Sequence, residues 1–301
     1  MWIGFFGILV IGILGGSTPI LVKLGLTEFP PLLLTTLRFI IATIIFLPFF
    51  LQEKRHLTRH DIWILFTRSL FFAGNAGIFS IAIQYTTAII SQVLYSFVPG
   101  IVLVMSFLFL RENMTKQRII GLFIAVIGVG ILIQQSIIKT EVLTFGTLIG
   151  NMLTLLAALS WSAYTVVSKR LTDVYSPVVT TFASFVTIII ILVPLLPIEY
   201  ILQPVQLENV DLSGVGSVMY LGIFSSAFMF FLTQLLIQKT SSFVTSLSQY
   251  LAPFAGAMIA IPILGEKLTP LFFLAGVCVV VGVFYATSYE GVRKHIKSVL
   301  Q

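Results

Sequence analysis

The chain is poor in charge, has a single cysteine, and places no acidic or histidine residue inside its long apolar stretches. Only 9% of its 301 residues are charged and 58% are hydrophobic, whereas about a quarter of the residues in a soluble domain are charged. Too little charge is present to cover a water-facing surface, so a soluble globular protein is excluded. Cys278, alone in the chain, excludes an intrachain disulfide and a cysteine-built metal cluster. The carboxylates (Glu28, Glu53, Asp61, Glu112, Glu141, Asp173, Glu199, Glu208, Asp211, Glu266 and Glu290) fall in connections or at the ends of apolar runs, and His56, His60 and His295 lie outside them. The pattern therefore offers neither a mid-membrane proton carrier nor a histidine relay. An intramembrane enzyme would need such a base, or a metal, beside a nucleophile, so the chain is read as a non-enzyme with no cofactor and no metal.

What the chain does have is apolar length. A spanning helix takes roughly 20 apolar residues, and ten runs near that length stand out: Trp2 to Val22, Leu32 to Leu51, Ile62 to Ile83, Ala88 to Leu110, Ile119 to Ile133, Gly146 to Val167, Val178 to Pro197, Val215 to Ile237, Phe243 to Leu264 and Leu271 to Tyr289. The expected fold is an all-α integral membrane protein of ten transmembrane helices. The first run has no basic start and no Ala-x-Ala-like exit, which argues for a retained helix over a cleaved signal peptide.

Basic residues set the expected orientation, since Lys and Arg near span ends stay on the cytoplasmic side. With the N-terminus inside, the inner connections and tail carry Lys54, Arg55, Arg59, Arg111, Lys116, Arg118, Lys169, Arg170, Lys239, Arg293, Lys294 and Lys297, against Lys23, Lys139 and Lys267 outside. Both termini are expected in the cytoplasm, with the protein multi-pass in the cell (cytoplasmic) membrane. The net charge of +6 then reports orientation in a lipid bilayer and gives no reason to expect a nucleic-acid partner.

The second half repeats the first. Gly16-Ser17 through Lys23 and Pro31 realign onto Ser162-Ala163 through Lys169 and Pro177 at one constant offset. Ile83-Gln84, Pro99, Leu110, Glu112, Thr115 and Gly128 realign onto Ile237-Gln238, Pro253, Leu264, Glu266, Thr269 and Gly282 at a second, the change being absorbed between Pro197 and Ser213. Five helices per half is an odd number, so the repeats have inverted topology, an arrangement that builds two gates around one central site. The expected division is residues 1–134 for the first five-helix repeat, 135–145 for a connecting loop, 146–289 for the second repeat and 290–301 for a basic cytoplasmic tail.

Two polar stripes mark candidate cavity walls. In the fourth run Gln92, Tyr95, Ser96 and Pro99 sit at i, i+3, i+4 and i+7, on one helix face. Ser246, Gln249, Tyr250 and Pro253 repeat that spacing in the ninth. Polar stripes facing hydrocarbon are costly, so these should face protein or a wet cavity; the competing reading is that small polar residues and prolines only help helices pack. Pro19, Pro99 and Pro253 are candidate hinges or helix breaks, each removing a backbone hydrogen bond. Ser17 and Thr18 in the first run, and Trp161 and Tyr164 in the sixth, complete the neutral set of candidate substrate-binding residues, the aromatic pair being equally compatible with core packing. Among charges within the runs, Arg68 shares a face with Asn75 at i+7, so both are candidate ligands, Arg68 for a carboxylate or phosphate. Arg68 can instead snorkel to the headgroups, and Arg38 is read as holding neighbouring carbonyls.

The ordered motifs Gly16-Ser17-Thr18-Pro19 with Lys23, Leu37-Arg38-Phe39, Tyr85-Thr86-Thr87-Ala88, Pro99 and Leu110-Arg111-Glu112 with Thr115 resemble the EamA-like branch of the drug/metabolite transporter superfamily. The second half is similar, with Leu159 to Tyr164, Ser176-Pro177, Pro253 and Leu264 to Thr269. The chain departs from the family at Gly15, where Trp is frequent, and at Ser184, which stands where the first repeat has Arg38. The resemblance implies a ten-helix carrier of small metabolites, amino acids or drug-like compounds, with a central cavity and alternating access. The lining suits a neutral or zwitterionic, amino-acid-like small-molecule substrate, and the family leans to export. The alternatives are a structural or partner-binding membrane subunit, which leaves the duplicated stripes without a purpose, and the intramembrane enzyme already weighed.

Overall fold

In the computed structural model the described residues are 2–53, 56–139, 147–205, 210–256, 258 and 270–299. They form α1 (Trp2–Gly25), α2 (Pro31–Leu51), α3 (Arg59–Tyr85), α4 (Ala88–Tyr95), α5 (Val98–Met105), α6 (Lys116–Lys139) and α7 (Leu148–Thr172). There follow α8 (Pro177–Leu192), α9 (Leu196–Leu202), α10 (Leu212–Tyr220), α11 (Met229–Lys239), α12 (Ser242–Ser246), α13 (252–256) and α14 (Pro270–Val299). The π-helical segment Ser106–Leu110 prolongs α5, Leu221–Phe228 joins α10 to α11, and short 3₁₀ turns link α8 to α9 and α12 to α13. Among the described residues these elements compose ten helical segments in two halves of inverted topology, and seven of them are long and apolar enough to cross a membrane. Large apolar side chains such as Ile44, Phe107, Phe123 and Ile127 stand exposed on the outside, as a lipid-facing belt requires.

Helix starts follow the same local chemistry in both halves. α2 and α8 each begin on a proline, which needs no amide donor at that position. Thr87 and Ser241 cap α4 and α12, their hydroxyls accepting from the amides of Ile90 and Val244. Thr58 caps α3 in a reciprocal box with Asp61.

The breaks fall only partly where the prolines predict. The fourth segment is interrupted between Tyr95 and Val98, just before Pro99, and the ninth changes from 3₁₀ to α just before Pro253. The expected break at Pro19 is absent: α1 runs unbroken from Trp2 to Gly25. Hydroxyls of Ser17 and Thr18 donate back to the Leu14 carbonyl at 2.8 and 3.0 Å, and the helix absorbs the missing donor without kinking open. Two helices also overrun their expected limits, α6 reaching Lys139 within the expected 135–145 loop and α14 reaching Val299 within the expected tail.

α2 and α8 are equivalent helices of the two halves, and they cross at the centre. Phe39 and Phe185 occupy matching positions on them, both fully buried, with ring centroids 5.5 Å apart. Each helix is also clipped at its start by a glutamate from the other half. Glu199, in the first turn of α9, accepts from the Leu32 and Leu33 amides at 2.7 and 2.8 Å, where α2 has free donors. Glu53, just past α2, accepts from the Ser176 hydroxyl that caps α8, at 2.5 Å. Glu53 and Glu199 are related by the offset that carries Pro31 onto Pro177, so one device serves both membrane faces.

The last helices of the halves, α6 and α14, pack on each other through glycine. A Cβ on Gly121 would lie 2.6 Å from the Gly282 carbonyl oxygen, and one on Gly282 2.6 Å from the Ala125 nitrogen. Backbones this close exploit small residues, the usual way that helices associate where lipid removes the hydrophobic drive.

Candidate functional site

A cavity of about 720 Å³, counting its open mouth, lies among the helices of both halves. Its walls include Gly15, Thr18 and Pro19 of α1, Arg38 of α2, Asn75, Ala76 and Phe79 of α3, and Ser91, Gln92 and Tyr95 of α4. The second half supplies Trp161 of α7, Met229 and Phe230 of α11, and Gln249 and Ala252 of the ninth segment. The lining from α1 and α3 belongs to their later halves, and that from α4 lies before the break in the fourth segment, so the cavity sits toward the face on which α1 ends and α2 begins.

Toward the opposite face the space is closed by rings. Phe72 touches Phe39, Tyr164 and Phe230 with centroids 5.4, 4.8 and 4.4 Å away, and Trp161 lies 5.6 Å from Phe230. Below them, Gln234 donates to the Tyr164 hydroxyl at 2.5 Å and to Ser168 at 3.2 Å, while the Tyr164 and Ser184 oxygens are 2.8 Å apart. This side is packed and polar-bonded across α7, α8 and α11.

The expected residues divide between these two regions. Thr18, Asn75, Gln92, Tyr95, Trp161 and Gln249 come together at the cavity, with Pro19 beside them. Ser17 does not: it is buried and faces the Tyr220 hydroxyl, 3.2 Å away. Ser96 bonds its own helix at the Val93 carbonyl, and Ser246 does the same at Phe243. Tyr164 and Tyr250, each 1% exposed, are sealed in the core outside the lining. Pro99 and Pro253 mark the segment breaks and lie outside the lining as well.

Arg68 is the chief correction. It is exposed on the outer surface of α3, beside Leu70 and Phe71, away from the cavity that Asn75 reaches. Seven residues fall about 20° short of two helical turns, so Arg68 and Asn75 share a face, but at the level of Arg68 the buried residues are Leu65, Ser69 and Phe72 and Arg68 itself is exposed. The side chain is thus placed to snorkel.

Arg38 reverses its expected part. It is 5% exposed, lies next to the α2–α8 crossing, and lines the cavity. Its Nε donates to the Ser226 hydroxyl at 2.9 Å, on the π-helical segment before α11, and its guanidinium stands 4.8 Å from the Phe39 ring. The sequence carries the signal, an arginine inside an apolar run, but not the α8 crossing that brings it to the centre.

Three details fix what the walls can do. Asn75 commits both amide hydrogens, to the Tyr95 hydroxyl at 2.6 Å and the Ala157 carbonyl at 2.8 Å, so its Oδ1 is left to accept. Tyr95, accepting there, keeps its own proton to donate. Pro19 deprives the Gly15 carbonyl of its helical donor, and both line the cavity. Gln92 bridges to the Gly16 carbonyl at 3.3 Å; a Cβ on Gly16 would come 2.3 Å from the Ala252 carbonyl oxygen, so glycine is what lets α1 close against the ninth segment. Glu112, just past the end of its apolar run, pairs with Arg118 at 3.3 Å; its counterpart Glu266 lies outside the described residues.

An inverted pair of five-helix bundles around a largely apolar cavity edged by a few polar side chains is the architecture of a membrane transport protein. The model of the EamA-like transporter family matches twice, over residues 2–134 and 148–288, and the chain belongs to that family. It is similar to the uncharacterized transporter YetK of Bacillus subtilis, at 30% identity over 278 residues covering 89% of this chain and 82% of that one. It is also similar to a probable amino-acid metabolite efflux pump of Salmonella typhimurium, at 26% identity with 93% of each chain covered, and to one of Escherichia coli, at 25% identity with 98% and 97% covered. A protein of known crystal structure shares the fold with a TM-score of 0.70 at 21% identity, covering 93% of this chain and 95% of the other. The chain is therefore a multi-pass membrane transporter and not an enzyme.

Proposed function

We propose that the chain is a secondary carrier of small neutral or zwitterionic metabolites of amino-acid type, working by alternating access with export as its direction. The observation that carries this reading is the cavity itself, walled by both halves and presenting acceptors (Asn75 Oδ1, the Gly15 carbonyl), donors (Tyr95, Arg38) and apolar rings (Trp161, Phe230) within one small volume. That mixture suits a molecule with a charged or polar backbone and an apolar side chain. The efflux function named for the Salmonella and Escherichia relatives supports the same class and direction. Substrate and lipid are the only partners this reading needs, and the basic-residue asymmetry supports placing both termini in the cytoplasm of the cell that carries it.

Counterflow in proteoliposomes tests the proposal. Vesicles holding the purified protein and loaded with unlabelled L-leucine, L-threonine or L-phenylalanine should accumulate the matching labelled amino acid above protein-free vesicles. If no neutral amino acid exchanges, the substrate class is wrong. Trp161→Ala should weaken phenylalanine exchange more than threonine exchange, since ring stacking there is worth about 0.5–1.5 kcal/mol. Orientation is read separately in a Cys278→Ser background. Arg59→Cys should stay shielded from an impermeant thiol reagent in intact cells, and Gln203→Cys should be labelled.

A further inference from the structure

We propose that Arg38 is the ligand for a substrate carboxylate, and that a free carboxylate is required for recognition. This inference rests on the carrier reading above and narrows its substrate class. Arginine in a membrane core is costly unless partnered, and Arg38 has no ion-pair partner among the described residues. Its only protein hydrogen bond there uses Nε, to Ser226, which fixes the plane of the guanidinium and leaves both terminal amino groups for the cavity. Two parallel N–H donors of this kind match a carboxylate in forked geometry. Neutral amides and hydroxyls cannot replace that pairing for a desolvated cation.

Position strengthens the assignment. Arg38 adjoins Phe39, which meets its equivalent Phe185 at the crossing of α2 and α8, so the cation lies beside the centre about which the halves are related. A ligand held there is close to the point that both gates share. The equivalent of Arg38 is Ser184, whose oxygen is engaged by Tyr164 and Ser69, so one cation and no second serves the centre. The acceptors Asn75 Oδ1 and the Gly15 carbonyl line the same cavity and suit the ammonium end of a zwitterion.

The test is a thermal-shift and binding titration of the detergent-purified full chain. Probes are L-leucine, L-threonine and L-phenylalanine, the three corresponding amino-acid amides, and N-acetyl-L-phenylalanine. The wild type should bind amino acids at least about tenfold more tightly than their amides, and N-acetylphenylalanine should bind more tightly than phenylalaninamide. Arg38→Gln should abolish the preference for the carboxylate, and Arg38→Lys should keep part of it. A structural arginine would lower the unliganded Tm when replaced; relief of an uncompensated buried cation instead predicts an unchanged or raised Tm for Arg38→Gln. Ser226→Ala, which frees Nε and leaves the charge, should weaken carboxylate binding without altering the oligomeric profile on gel filtration. Equal binding of acids and amides, or an unaltered preference in folded Arg38→Gln, overturns the role of Arg38 while leaving the carrier reading intact. Binding of none of the seven probes by the wild type overturns the amino-acid class and this inference with it.

Discussion

Arg38 and Ser184 hold the same place in the two repeats, yet one opens onto a cavity and the other is locked into a hydrogen-bonded core. Around Arg38 the walls are separated: Asn75, Gln92, Tyr95 and Gln249 edge the cavity. Around Ser184 the equivalent volume is filled by Tyr164, Gln234 and the ring cluster of Phe72, Phe185 and Phe230. The comparison teaches that inverted symmetry of sequence can carry unlike sites in one conformation, here a cavity at one repeat's position and a packed, hydrogen-bonded core at the other's. It also separates the two tasks of the centre. The rings at the crossing are shared and structural, whereas the charge, unpaired among the described residues, belongs to one half alone.

The strongest way to break this comparison is at the shared rings. Phe39→Ala and Phe185→Ala should each cost about 3–5 kcal/mol of stability, as for other fully buried phenylalanines, read from unfolding in mixed micelles. A large cost for one and none for the other would mean that the crossing is not a common axis. The glutamate clips come next. Glu199→Ala removes a carboxylate accepting from two amides and should destabilise by about 2 kcal/mol, whereas Glu53→Ala loses one hydroxyl contact and should cost about 1 kcal/mol. Equal and negligible costs would reduce both clips to surface contacts. The smallest effect is expected at Ser184→Ala, which should lower stability by about 1 kcal/mol yet leave amino-acid affinity within about twofold of wild type. A binding loss there as large as at Arg38 would erase the distinction between the open and sealed sides.

Much of the fold is written plainly in the chain, because bilayer thickness and the odd number of spans per repeat leave few alternatives. Of the fourth-segment stripe Gln92 and Tyr95 line the cavity, whereas Ser96 and Pro99 do not. Its counterpart was legible only in part. Gln249 reaches the cavity, but Tyr250 is packed inside, since helical spacing groups residues on a face without telling whether that face meets an open or a closed side of the axis. Arg68 failed for a different reason: it shares a face with Asn75, but two turns nearer the start of α3, where that face is exposed and does not line the cavity. Pro19 failed because a proline near serine and threonine hydroxyls can sit within a continuous helix. Arg38 was visible as an intramembrane charge, yet its role depends on the crossing with α8, a long-range contact that no local pattern reveals.

The central claim is that a substrate carboxylate sits on Arg38 beside the Phe39–Phe185 crossing. Its most direct test is an experimental structure of the protein with L-phenylalanine bound. The account predicts the carboxylate oxygens within hydrogen-bonding distance of the Arg38 terminal amino groups, and the ammonium directed to Asn75 Oδ1 or the Gly15 carbonyl. Ligand density in this cavity with its carboxylate turned away from Arg38, or density only at another site, would contradict it.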